Sequence, residues 1–242
     1  MLHFGLIGKK LDYSFSSSFF NDFFKKNDLQ CTYENIECAD IEEVKSCLLS
    51  KKFKGLNITI PYKEQVIPLL SDLSDEAKEI GSVNVVKFEN NQYKGYNTDY
   101  YGFHQSIKPF LKNSHTKALI LGTGGASKAV SYVLKSIGIE VLYVSRTPKN
   151  KQQFLISEVN ENMLNACKLI INCTPIGTFP DVKNKPALPY QSIGKEHLLI
   201  DLIYNPEKSA FLLEGEKYGA EILNGKSMLI EQAKKSWEIW NK

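Results

Sequence analysis

The chain has 242 residues, 43% hydrophobic and 24% charged, enough for a sizeable core in one or two domains and unlike a disordered protein. Thirty basic and 27 acidic side chains leave a formal charge of +3, too small to point to nucleic acid or an anionic membrane as partner. Without a long apolar span or a secretory leader pattern, the expected location is cytoplasmic. The five cysteines, lacking a C-x-x-C pair, and the four scattered histidines argue against a disulfide framework and against a metal site.

Residues 2–7 read as a strand ended by Gly8, followed by a polar loop over 9–15. Ser16 to Ser18 are placed to cap a helix carrying Phe19, Phe20, Phe23 and Phe24. A strand over 31–36, a helix over 41–49 and a strand over 55–60 come next, and Pro61 opens a third helix, where its missing N–H costs nothing. Residues 72–80 read as helical, 82–88 and 92–96 as strands joined by a polar turn, and 98–111 as a helix bridging to a second half.

The second half opens with a buried strand over 118–121, glycines at 122, 124 and 125, a helix with Ala129, Val130, Val133, Leu134 and Ile137 on its apolar positions, and a strand over 141–144. Glycines let a backbone approach a pyrophosphate, and the helix start offers free N–H groups and a positive dipole end. Ser127 stands where the dinucleotide fingerprint has its third glycine, and a small residue still permits close helix–strand packing. A tight structural turn without a ligand would also account for the glycines. Further buried strands are expected over 169–172 and 198–202, a helix over 211–218, a short strand over 221–223 and a last helix over 227–240; residues 149–166 carry no clear pattern.

NAD-binding units usually place an acid after the second strand to hold the ribose hydroxyls. Here Ser145, Arg146 and Thr147 follow, then Lys149 and Lys151, and Arg146 is the only arginine in the chain. A planar guanidinium suits a phosphate better than an ammonium does, so NADP(H) is the expected cofactor.

Four stretches place polar groups at strand ends or turns: Ser14 and Ser16; Asn57, Thr59 and Lys63 in LNITIPYKE; Asn84 in GSVNVV; and Asn97, Thr98 and Asp99 in YNTDYYG. Lys63 falls in the first turn of a helix, where the dipole disfavours its charge. Each stretch also has a bland reading: an exposed lysine, or Asn97 or Thr98 capping the next helix.

Taken together, S-x-S, N-x-T-x-P-x-K-E, G-x-V-N, N-T-D, G-x-G-G-A-S, N-x-T-x-x-G and N-G-x-x-M-L-x-x-Q-A, in this order over nearly the whole chain, resemble the shikimate dehydrogenase family. The resemblance implies an α/β protein. Its N-terminal substrate-binding and catalytic domain would span residues 1–99 and be completed by a C-terminal helix, 227–242, packing back on it. A Rossmann-like NADP-binding domain would span 100–226, with a cleft between the two. It implies reversible NADP(H)-linked interconversion of 3-dehydroshikimate and shikimate, with Lys63 and Asp99 as catalytic pair. Ser14, Ser16, Thr59, Asn84, Tyr204 and Gln232 would bind the substrate. The pyrophosphate would lie on Gly122, Thr123, Gly124, Gly125 and Ala126, and the adenosine phosphate near Ser145, Arg146, Thr147 and Lys151. Thr174, Leu202 and Gly225 would lie by the nicotinamide, and Asp75 toward the cofactor. The small-molecule substrate would be the partner of a monomer or homodimer.

The chain departs from the family pattern at Ser17, where proline is usual, at Tyr100 after N-T-D, at Ser145 before Arg146-Thr147, and at Lys226-Ser227 before Met228. Two rivals share the fold: a quinate enzyme using NAD, and a non-catalytic NADP-binding regulator. Both serines of S-x-S and the absent acid favour shikimate and NADP over the first; retention of both Lys63 and Asp99 speaks against the second.

Overall fold

The computed structural model describes residues 1–11 and 14–242. The chain divides into two compact units, one of residues 1–101 and 232–242, the other of residues 102–231.

In the first unit β1 (Leu2–Gly8), α1 (Phe15–Lys26), β2 (Cys31–Glu37), α2 (Ile41–Leu49), β3 (Gly55–Ile58), α3 (Tyr62–Gln65), β4 (Asp72–Leu73), α4 (Asp75–Ile80), β5 (Val85–Glu89) and β6 (Gln92–Tyr96) follow in order. They form one mixed sheet, β2-β1-β3-β5-β6-β4. Strands β1, β2 and β3 run parallel, whereas β5 pairs antiparallel with both β3 and β6. Because side chains alternate across a strand, β1 sends Phe4 and Leu6 to one face and Ile7 to the other. The first face packs against Phe20 and Phe24 of α1 and Ala233 and Trp240; the second packs against Val44 and Leu48 of α2.

Three local expectations need correction. The first helix begins at Phe15, with Ser14 at its N-cap, so Ser16 lies inside the helix rather than capping it. Strand β3 ends at Ile58, short of the expected residue 60, and Thr59 follows it with its N–H still donating to the Ile7 carbonyl. Residues 72–80 are not one helix: Asp72 and Leu73 pair with β6, and Ser74 caps α4 through its side chain.

The second unit holds β7 (Lys117–Leu121), α6 (Gly125–Ser136), β8 (Glu140–Val144), β9 (Gln153–Phe154), α7 (Glu161–Ala166), β10 (Leu169–Asn172), β11 (Leu198–Asp201), α8 (Ala210–Lys217) and β12 (Glu221–Leu223). Helices α5 (Asp99–Ile107) and α9 (Lys226–Asn241) each belong partly to both units. The sheet is parallel throughout, in the order β12-β11-β10-β7-β8-β9. Buried on both faces, its central strands are continuous apolar runs, as at Ala118 to Leu121 and Leu169 to Ile171. The strand order reverses between β7 and β10, and in open α/β sheets that reversal leaves a crevice at the carboxyl ends of the strands. No described helix is long and apolar enough to cross a membrane.

Candidate active site

In the first unit Lys63, Asn84, Thr98, Asp99 and Gln232 converge. Lys63 Nζ lies 2.6 Å from Asp99 Oδ2, with 15% and 7% of the two side chains exposed. The short α3 follows β3, and its Lys63 carbonyl accepts from the Val83 N–H, so the lysine's backbone is tied to the stretch leading into β5. Asp99 is the first residue of α5. Asn97 supplies that helix's cap, its Oδ1 accepting from the Tyr100 N–H at 3.3 Å.

Asn84 sits just before β5, not inside a strand as the sequence suggests. Its backbone is pinned on both sides, the carbonyl accepting from Ile58 N–H and the N–H donating to Tyr96 O. Its amide Nδ2 is 2.9 Å from Asp99 Oδ1, 3.0 Å from Thr98 Oγ1 and 3.3 Å from Gln232 Oε1. Each oxygen of the Asp99 carboxylate therefore has its own donor, Lys63 or Asn84. No other described acceptor meets the Lys63 ammonium, which leaves donors for an oxygen of a bound molecule.

Ser14 Oγ is buried and has no hydrogen-bond partner among the described residues. Buried polar atoms are rarely left so, and a ligand oxygen is one way to satisfy this one. Ser16 stands in the first turn of α1, and the Thr59 N–H and carbonyl are used by Ile7 and Tyr62. Asp75, by contrast, stands exposed in the first turn of α4, 3.8 Å from Lys78.

In the second unit β7 runs into Gly122, whose φ of +107° suits glycine, and a Cβ there would come within 3.3 Å of Cys173 O and Thr174 Cγ2. Gly124 is the N-cap of α6, with open space where its Cβ would stand. The first turn of α6 holds no acid and no side-chain cap, so its N–H groups and the positive end of its dipole are left for an anion. Thr123 is exposed, and Gly125 and Ala126 begin the helix. Ser127 is buried and bonds the Gly124 carbonyl at 2.6 Å, which shows how a serine serves at the third fingerprint position.

After β8, the Ser145 hydroxyl accepts from the Thr147 N–H at 3.2 Å, holding a turn from which Arg146 projects into solvent. Lys151 is exposed nearby in sequence, and Arg146 pairs with no carboxylate among the described residues. These residues fit a nucleotide carrying an extra phosphate better than one held by ribose hydroxyls alone.

Thr174 follows β10 and donates to Asn172 Oδ1 at 2.6 Å. A Cβ at Gly225 would fall 2.1 Å from Leu202 O, so these two backbones touch and only glycine fits. Tyr204 lies two residues beyond Leu202, half-buried. Sequence reasoning passed over two residues here. Asn172 uses its whole amide, bonding Thr174, Ile176 and Asp201, and buried Asp201 accepts in addition from Ile203 N–H and the Ser209 hydroxyl. Burial pushes the Asp201 carboxyl up to about 6 against these hydrogen bonds. Asn172 opens the N-x-T-x-x-G pattern, a signal that was present; Asp201 gave none inside an apolar strand. Burial also raises the thiols of all five cysteines, which makes them poor nucleophiles near neutrality. No cluster of three metal-ligating side chains occurs among the described residues.

Residues 6–86 match the family model described as the shikimate dehydrogenase substrate binding domain. A shikimate dehydrogenase (NADP(+)) of Clostridium botulinum strain Hall is 37% identical over 98% of this chain and 95% of that protein. Among solved structures, shikimate dehydrogenase from Aquifex aeolicus aligns with a TM-score of 0.89 at 33% identity, over 100% of this chain and 92% of that one. The shikimate 5-dehydrogenase of Thermus thermophilus in complex with NADP(H) and shikimate aligns with a TM-score of 0.86 at 29% identity, over 99% and 93%.

Proposed function

The chain belongs to the shikimate dehydrogenase family, and from that premise we propose that it catalyses the reversible NADP(H)-dependent reduction of 3-dehydroshikimate to shikimate. The observation that carries the assignment of chemistry is the Lys63–Asp99 contact at 2.6 Å, with Asn84 on the second carboxylate oxygen.

NADPH, when bound, supplies the hydride. Reduction builds negative charge on the ketone oxygen. The Lys63 ammonium, with donors to spare beyond Asp99, gives that oxygen its proton, and in the reverse direction the lysine amine takes the alcohol proton back. Asp99 holds the ammonium in place and, fixed by Asn84, cannot turn away. Ser14, Ser16, Thr59, Asn84, Tyr204 and Gln232 bind the carboxylate and hydroxyls of the ring; hydroxyl and amide groups suit such a substrate because each both donates and accepts.

The first unit is the substrate-binding and catalytic domain, and the second binds NADP(H). Gly122, Thr123, Gly124, Gly125 and Ala126 hold the pyrophosphate at the start of α6. Ser145, Arg146, Thr147 and Lys151 hold the 2′-phosphate, and Thr174, Leu202 and Gly225 flank the nicotinamide. Asp75 is carried toward the cofactor by resemblance alone. The enzyme works in the cytoplasm as a monomer or homodimer.

Initial rates with shikimate or quinate and NADP⁺ or NAD⁺, followed by reduced nicotinamide absorbance, test the assignment. The highest kcat/KM is expected for shikimate with NADP⁺. A clear preference for quinate with NAD⁺ would replace this reading, and no turnover with any pair would favour a non-catalytic role.

A further inference from the structure

Ser236 lies on α9, buried, one turn beyond Gln232, and touches neither Lys63 nor Asp99 in the hydrogen-bond network. On the catalytic assignment above, we propose that Ser236 is a positioning residue: its hydroxyl sets the direction of a buried hydrogen-bond chain that fixes Asn84 and, through it, the Asp99 carboxylate.

The direction of the chain follows from counting hydrogens. Asn84 Oδ1 is 2.6 Å from the Thr98 N–H, which can only donate, so the amide's orientation is settled and Nδ2 has two hydrogens to give. The two shortest acceptors are Asp99 Oδ1 at 2.9 Å and Thr98 Oγ1 at 3.0 Å. Thr98 Oγ1 thus accepts from Asn84, and its own hydrogen points to Ser236 Oγ at 3.2 Å. Ser236 gives its hydrogen to the Gln232 carbonyl at 2.8 Å, so its oxygen is free to accept.

A second arm meets it from the other side. Asn57 Nδ2 donates to Ser236 Oγ at 3.2 Å and to the Asn84 carbonyl at 3.2 Å. Asn57 Oδ1 accepts from the Tyr33 hydroxyl at 2.7 Å. Burial pushes the Tyr33 phenol well above its ordinary value, so it keeps its proton and donates. Ser236 therefore joins two arms, one ending at the Tyr33 hydroxyl and the other at Asp99. Each of its lone pairs is used, and Asn57, Thr98 and Ser236 are all nearly inaccessible to water.

Without the Ser236 oxygen, the nearest other acceptors for the Thr98 hydroxyl are Gln232 Oε1 and Asn84 Oδ1, both at 3.4 Å. A turn toward either takes a lone pair away from Asn84 Nδ2 or competes for its carbonyl oxygen. The Asn84 amide then loses the arrangement that points a hydrogen at Asp99. Buried networks of this kind are coupled, so deletions along one path do not add.

The test uses the full-length protein and the variants Ser236→Ala, Thr98→Val, their double variant and Lys63→Ala, each checked for a cooperative melt. Ser236→Ala is expected to lower kcat about tenfold with shikimate KM changed by less than about threefold, and the double variant to be no slower than the slower single variant. Thr98→Val is expected to lose a similar factor, and it decides the matter if Ser236→Ala does not fold. Folded Ser236→Ala or Thr98→Val with kcat within about twofold of wild type, or losses that multiply in the double variant, would overturn the proposal. If Lys63→Ala is inactive while those variants are normal, only the positioning role fails; if Lys63→Ala is fully active, the catalytic assignment itself fails.

Discussion

The indole of Trp240 occupies the space that a side chain at Gly55 would need: a Cβ there would lie 2.3 Å from Trp240 Cδ1 and Nε1. The same indole donates from Nε1 to the Val86 carbonyl at 3.1 Å and packs 4.9 Å, centroid to centroid, from Phe4. Strand β3 has no side chain at this point because the end of α9 fills it. Trp240→Ala should cost about 3–5 kcal/mol of stability, and Gly55→Ala about 1–3 kcal/mol or more by overpacking. Urea denaturation followed by far-UV circular dichroism measures both; loss of under about 1 kcal/mol in Trp240→Ala would mean that the helix end does not hold the sheet.

Gly124 separates a folding role from a binding role. Its φ of −83° is open to any residue, and a Cβ would meet nothing within 4 Å. Gly124→Ala should therefore keep wild-type stability to within about 0.5 kcal/mol while weakening NADP⁺ binding by about tenfold or more, because the methyl stands where a pyrophosphate approaches. Calorimetric titration with NADP⁺ reads this directly. Unchanged affinity would remove the pyrophosphate from this turn.

Arg146 is exposed and stands where an acid would hold ribose hydroxyls. Arg146→Ala should raise KM for NADP⁺ by about 10- to 100-fold and change KM for NAD⁺ by less than about threefold, since only the former carries the 2′-phosphate. Equal effects on the two cofactors would assign Arg146 a general role in nucleotide binding instead.

Asp201 gives the stability of the second unit a pH dependence. Its carboxyl, raised by burial to about 6, lies above the unfolded value, so its favourable contribution is complete below about pH 4 and is lost as pH rises through 6. Between pH 7.5 and 5.0 wild type should gain about 1–1.5 kcal/mol relative to Asp201→Asn. His115 and His197 work in the opposite sense, burial having lowered both, and they cancel in the comparison because both proteins carry them. Parallel pH profiles for wild type and Asp201→Asn would contradict the assignment.

The second unit was the more legible in sequence. Parallel strands buried on both faces leave unbroken apolar runs, and the glycines at 122 to 125 fall between such a run and a helical period. The two-residue strands β4 and β9 were missed because pairing by a neighbour, not local pattern, makes them strands. Lys63 and Asp99 could be named from motif residues, but nothing local shows that a chain separation of 36 positions is closed to bring them together. Ser236 was invisible for the same reason: its bond to Asn57 spans 179 positions, and a serine inside a helix gives no sign of what it faces. Asn97 and Thr98 both read as possible caps of the next helix, and Asn97 fills that role.

On the proposed mechanism the Lys63 ammonium exchanges a proton with the reacting oxygen. The most direct measurement is the single-turnover rate of folded Lys63→Ala with saturating shikimate and NADP⁺, alongside its shikimate affinity. The expected result is a rate lowered by about 10²- to 10⁴-fold with affinity changed only a few-fold. A Lys63→Ala enzyme that turns over at the wild-type rate would contradict it.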